Sequence, residues 1–177
     1  VQPIWVPLAA RILEDSRVKV CTVIGFPHGA NRAEVKGYET EVAVAQGARE
    51  VDMVIPIGMM KSGDHRTVAA HVRAVVRAAM AGVVVKVILE NAYLTDEEKR
   101  HASRISKEEG AHFVKTSTGF GPTGATLDDV RLMRAEVGPN VGVKAAGGIR
   151  DTEGARAMVA AGANRIGASA SVRIASR

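Results

Sequence analysis

The runs VVVKVIL (83–89), HFVK (112–115) and VGVK (141–144) decide the fold. Each is short and rich in β-branched residues, with apolar side chains falling on both sides of the pleat, the mark of a strand covered on both faces. Each also carries one lysine, and Lys86, Lys115 and Lys144 lie 29 residues apart. A unit of about that length therefore repeats. Outward from this centre, similar runs stand at IWV (4–6), VKVCTVI (18–24), EVDMVI (50–55) and NRIGA (164–168). Between them, residues 33–46, 64–79, 95–109, 126–137 and 152–161 place apolar residues at three- and four-residue spacing opposite charged faces. That is the helical period, and Gly47, Gly110 and Gly162 stand where such helices stop. Thr95 with Glu98 has the spacing of a capping box. Short buried strands alternating with helices make a parallel sheet with right-handed crossovers. Seven strand–helix units are read, the first and last cut short, against the eight of a TIM barrel. The expected fold is α/β, a TIM (β/α)8 barrel lacking its first strand–helix unit, in a single domain over residues 1–177. A doubly wound sheet competes, but no G-x-G-x-x-G follows an early strand. No Pro- or Ser-rich linker divides the chain.

Composition sets the class. With 177 residues, 46% of them hydrophobic, and one cysteine, the chain is not collagen, a disulfide scaffold or a disordered segment. Its length lets it bury roughly 70% of its unfolded surface without a staple. Cys21 has no partner for a bridge and sits in an apolar run, so it reads as a buried thiol in a reducing compartment. No run reaches the roughly 18 to 20 apolar residues of a membrane span, and the opening VQPIWVPLAAR lacks a signal-peptide layout. A cytoplasmic protein is expected, with no membrane partner. The net charge of 24 − 19 = +5 comes from scattered basic residues without interleaved aromatics. Nucleic acid is therefore not the expected partner, and a small phosphorylated substrate accounts for the bias.

In a βα-repeat protein the C-terminal strand ends share one mouth. Here they carry Gly25-Phe-Pro-His28, Asp52 and Pro56, Lys86 and Glu90, Lys115-Thr-Ser-Thr-Gly, Lys144 with Gly147-Gly148, and Gly167-Ala-Ser169. A lysine beside other positive charge in a partly dry pocket loses its proton near neutral pH and becomes a nucleophile for a carbonyl carbon. Lys115 and Lys144, at strand ends, are the candidates for that chemistry. Lys86, in mid-strand, reads instead as an ion-pair partner of Asp52 or Glu90. Asp52, among cations, would stay ionised and relay protons, or simply balance charge. The glycine loops at 147–148 and 167–169 suit backbone N–H donation to a phosphate. Thr118, Gly119, Gly147, Gly148, Gly167 and Ser169 are the candidate substrate- or phosphate-binding residues. Of the histidines only His28 lies near the mouth, and no metal-ligand spacing occurs. No metal and no cofactor are expected.

Taken together, VKVCTVIGFPHGAN (18–31), EVDMVIPIGMMKSGD (50–64), VKVILE (85–90), FVKTSTGF (113–120), VKAAGGIRD (143–151) and RIGAS (165–169) resemble the motifs of the deoxyribose-phosphate aldolase family in the same order. The resemblance implies a class I aldolase on a TIM barrel, acting without a cofactor. It makes Lys115 the Schiff-base lysine, Lys144 the neighbour that depresses its pKa, Asp52 part of the proton relay, and the glycines of AAGGIR and RIGAS the phosphate site. It further implies that the chain lacks the family's first strand, with its Asp-His-Thr stretch, and opens inside the second at VQPIWVP. Ala170 stands where a second hydroxyl is usual, Asn91-Ala92 replaces the usual Thr-Cys, and SVRIASR (171–177) is the stub of a last helix. The expected reaction is reversible cleavage of 2-deoxy-D-ribose 5-phosphate into acetaldehyde and D-glyceraldehyde 3-phosphate. Another Schiff-base phosphosugar aldolase, and a barrel fragment impaired in turnover, are the alternatives. The open sheet edges predict a homo-oligomer.

Overall fold

A computed structural model, described over residues 1–176, contains one sheet of six parallel strands in chain order. The strands are β1 (Cys21–Ile24), β2 (Glu50–Val54), β3 (Val84–Ile88), β4 (Phe113–Lys115), β5 (Gly142–Ala146) and β6 (Arg165–Gly167). A doubly wound sheet would reverse direction at a switch point, and this one does not. The sheet is also curled. Lys144 on β5 reaches Asp52 on β2, and Arg165 on β6 reaches Glu50 on the same strand. Such reach across the concave face is the geometry of a partial TIM barrel.

Helices cover the convex face. They include α1 (Val6–Ile12), α2 (Ala33–Ala45), α3 (Ile57–Lys61), α4 (His65–Ala78), α5 (Asp96–Glu108), α6 (Leu127–Val137), α7 (Thr152–Ala160) and α8 (Ser171–Ala175). The five long helices stand where the 3.6-residue period puts them. Thr95 and Glu98 form the capping box at the start of α5, and Gly47, Gly110 and Gly162 all have positive φ just past a helix end. α8 occupies most of SVRIASR, with Arg177 outside the described residues.

The first expected strand is not one. IWV (4–6) lies in a 3-10 turn, Pro3–Trp5, that runs directly into α1. Pro3 and Pro7 fall in the opening positions of the two helical segments. There a fixed φ favours the helix and the missing N–H costs nothing. The described residues therefore supply six barrel strands, not seven. Val1 lies along the outer edge of β1, donating from its amino group to Cys21 O at 2.8 Å and accepting from Thr22 Oγ1 at 3.1 Å.

The two-residue period of a strand divides β2 between two environments. Val51 and Met53 join the apolar core with Val68, Val72 and Val75 of α4. Glu50 and Asp52 point to the other face, the barrel interior, where Lys86, Lys115 and Lys144 meet them. Register sets this meeting, since Asp52 pairs with Lys86 across β2–β3 and Lys115 with Lys144 across β4–β5.

Candidate active site

Asp52 is the centre of the interior network. Its Oδ2 accepts from Lys115 Nζ at 2.9 Å and from Lys144 Nζ at 2.7 Å, and its Oδ1 from Lys86 Nζ at 2.9 Å. Burial would raise the pKa of this carboxyl, which is 2% exposed. The ammonium groups of Lys115, Lys144 and Lys86 outweigh that penalty and hold it far below the usual carboxylate range. Lys115, 7% exposed, is pushed the other way from an ordinary lysine. Burial lowers its pKa, Asp52 raises it and Lys144 lowers it again, with the balance below the normal value. Two amines on one carboxylate oxygen make proton exchange between them short-range, and the lowered pKa favours a neutral amine on Lys115.

Lys86 takes the ion-pair role. It is fully buried and bridges Asp52 to Glu50 Oε2, the latter at 2.6 Å, and Arg165 continues the chain from Glu50. Burial lowers its pKa, but Asp52 and Glu50 restore the charge and the net shift is upward. The expected alternative pairing with Glu90 does not form, because Glu90 bonds to Thr118 instead. Cys21 is half-buried, and its thiol donates to Asp52 Oδ1 at 3.3 Å. Burial, followed by Asp52, pushes that thiol up, away from thiolate reactivity. The links through Glu50, Arg165 and Cys21 were not expected from sequence. Only the strand register, which brings residues 115 apart into contact, reveals them.

A cavity of about 520 Å³ opens above the lysines. Lys115 and Lys144 line it together with Thr118, Gly119, Gly147, Gly148, Gly167 and Ser169, so the structure brings the sequence-derived candidates together around one space, with Asp52 behind the lysines. Phe120 and Arg150 also line it, two residues that sequence reasoning did not select although both sit inside quoted motifs. Phe26 from the loop after β1 packs edge-on against Phe120, with ring centroids 5.5 Å apart. Gly147 and Gly148 have φ of 86° and 79°, a region that favours glycine. A Cβ on Gly167 would stand 3.1 Å from Lys144 Cε, so the absent side chain there leaves room for the amine's stem. His28 belongs elsewhere, lining a separate cavity with His71.

The sequence and the fold that build this arrangement have counterparts among known proteins. The profile of the DeoC/LacD family aldolases matches residues 5–172. A deoxyribose-phosphate aldolase of a Thermoanaerobacter species is 58% identical over 98% of this chain and 79% of its own length. Among solved structures, an aldolase called QR15 superposes with a TM-score of 0.93 at 45% identity, covering 98% of this chain and 77% of the other. The tetrameric deoxyribose phosphate aldolase of Aeropyrum pernix gives a TM-score of 0.90 at 35% identity, covering 98% and 73%. With the interior lysines in register and the profile spanning nearly all of its residues, the chain belongs to the DeoC/LacD family of aldolases.

Proposed function

We propose that the chain reversibly cleaves 2-deoxy-D-ribose 5-phosphate through a Schiff base on Lys115. The observation that carries this reading is the single Asp52 oxygen shared by Lys115 and Lys144, behind the two amines that line the glycine-rich cavity. Lys115, as the neutral amine, attacks the C1 aldehyde of the open-chain sugar, and the adduct loses water to give an iminium. The C3 hydroxyl then loses its proton, the C2–C3 bond breaks, and its electron pair is taken up by the iminium as an enamine. D-Glyceraldehyde 3-phosphate leaves. Protonation of the enamine at C2 and hydrolysis release acetaldehyde and the free amine. Asp52 and Lys144 carry protons to and from these steps through water. Since the iminium is the electron sink, the route calls for no metal or cofactor.

The phosphate of the sugar would rest on the backbone N–H groups near Gly119, Gly147, Gly148, Gly167 and Ser169, with Thr118 on the same wall. The same reading makes the chain a cytoplasmic homo-oligomer of deoxyribonucleotide catabolism. Among the described residues no helix is long and apolar enough to cross a membrane. The test is a retro-aldol assay coupled to reduction of glyceraldehyde 3-phosphate, run beside borohydride trapping with acetaldehyde. Turnover with a reduced two-carbon adduct on Lys115 is the expected result. An adduct on Lys144 would reverse the two roles, and a different aldehyde in the adduct would mark another phosphosugar aldolase. Phosphate binding with no turnover would mark an impaired barrel.

A further inference from the structure

The segment after β3 is knitted to the segment after β4. Leu89 N donates to Lys115 O at 2.9 Å and Asn91 N to Thr116 O at 3.0 Å. Glu90 lies between these two links. It is 2% exposed and holds φ 57°, ψ 63°, a left-handed conformation that a residue with a Cβ enters only at a cost. From there its carboxylate meets the turn that follows Lys115. Glu90 Oε2 accepts from Thr118 N at 3.2 Å and from the Thr118 hydroxyl. The same hydroxyl accepts from Phe120 N at 3.0 Å. Gly121 passes so close that a Cβ on it would stand 3.1 Å from Glu90 Oε1.

Among the described residues this carboxylate forms no ion pair, unlike Glu50 and Asp52 on the neighbouring strand. A buried carboxylate without a cation is expensive, and its cost is offset only where its hydrogen bonds are fully made. Here those bonds all go to one turn. That turn supplies Thr118, Gly119 and Phe120 to the lining of the cavity that Gly147 and Gly148 also line.

We propose that Glu90 is the positioning residue of the cavity: it locks the turn at 116–120 so that the Thr118–Gly119 wall stays fixed for the phosphorylated end of the substrate. This rests on the reading that the cavity takes a phosphosugar above Lys115. Glu90 acts through Thr118 on the cavity wall and not on the reactivity of Lys115.

The experiment compares the unsubstituted protein with Glu90→Gln, Thr118→Val and the double variant. Glutamine keeps the shape but loses the charge and leaves one neutral amide oxygen to accept both donors of Thr118, a weaker acceptor than the carboxylate, and valine keeps the shape of threonine without its hydroxyl. Dissociation constants for D-glyceraldehyde 3-phosphate are measured by calorimetry, kcat by the coupled assay, and acetaldehyde trapping on Lys115 by mass spectrometry. Each single variant is expected to weaken binding by about tenfold, with the double no weaker than the worse single. In Glu90→Gln, whose side chain does not line the cavity, trapping and kcat stay within about threefold of the parent, a split that simple loss of fold would not give. Unchanged binding in both singles overturns the proposal, as does a double variant weakened by the product of the two. Loss of trapping in step with loss of binding also overturns it, because Glu90 would then serve the fold alone. A parent that binds the phosphate but yields no adduct overturns the Schiff-base reading, while the calorimetric comparison still decides the role of Glu90.

Discussion

At the scale of the residue, the chemistry turns on how three charges set the proton on Lys115. Burial and Lys144 lower its pKa while Asp52 raises it, so the two neighbours can be removed with opposite effects. Lys144→Leu should raise the Lys115 pKa and move the acid limb of acetaldehyde trapping to higher pH. Below that limb the rate drops about tenfold for each pH unit. Asp52→Asn should move the same limb to lower pH. A limb that stays in place in Lys144→Leu removes the electrostatic account. Gly148, at φ 79° with open space around its missing Cβ, tests the phosphate wall. Gly148→Val should weaken the phosphorylated sugar by about tenfold or more and 2-deoxyribose much less, because the side chain and the local backbone strain at positive φ both disturb the N–H approach to the phosphate oxygens. Equal loss for both sugars would assign the glycine to the fold. That Lys115, Lys144 and Asp52 meet was legible because they stand at the middle or C-terminal end of apolar strands, whose C-terminal ends in a βα-repeat share one mouth. Glu50, Arg165 and the Glu90–Thr118 clamp were not, because their partners are chosen by register and by one left-handed residue, which no spacing in the sequence displays.

At the scale of the element, the long helices were readable because periodicity accumulates over three or four turns, and their ends carried explicit punctuation. Thr95 is the clearest case. Its hydroxyl accepts from Glu98 N at 3.3 Å and Glu98 Oε2 accepts from Thr95 N at 2.7 Å, satisfying two donors at the start of α5. Thr95→Ala should cost about 1 kcal/mol of stability, read as a lower urea midpoint with an unchanged slope. No change in midpoint would mean that the Lys61–Glu98 pair at 2.8 Å holds this end of the helix without the cap. Short elements escaped for the reverse reason. α3 spans only five residues, too few for a helical period to show, and α8, equally short, was reached only through the family resemblance of SVRIASR (171–177). IWV (4–6) went wrong because three apolar residues fit a strand and a helix start equally well. The two prolines decide it, and the rule that they open helices had to be weighed against β-branching.

At the scale of the whole molecule, the alternation of strands and helices was enough to give a curled parallel sheet, but the count of strands depended on one ambiguous run. The sheet ends at β1 and β6, and an edge strand presents unpaired N–H and C=O groups that folded proteins cover by pairing or association. Val1 covers only part of the β1 edge. Beside it, on the turn that contacts β1, stand the exposed apolar side chains of Ile4, at 79%, and Trp5, at 55%, and Val172 of α8 is 80% exposed. Scattered apolar residues are ordinary on a surface, but a sheet edge adjoined by such a group would favour contact between copies. The chain is therefore expected to self-associate through residues 1–6 and 164–172. A stable interface of this kind buries about 1,200–2,000 Å², more than either edge strand alone offers, so the neighbouring helices must take part. Light scattering across a range of concentrations should give a mass at or above twice that of the chain. Ile4→Asp combined with Trp5→Ser should shift it toward the monomer, because burying a new carboxylate at the contact disfavours the assembly. A monodisperse monomer at every concentration, with full turnover, would show that the edges are protected by their own short length and twist and that the exposed residues around them serve no contact.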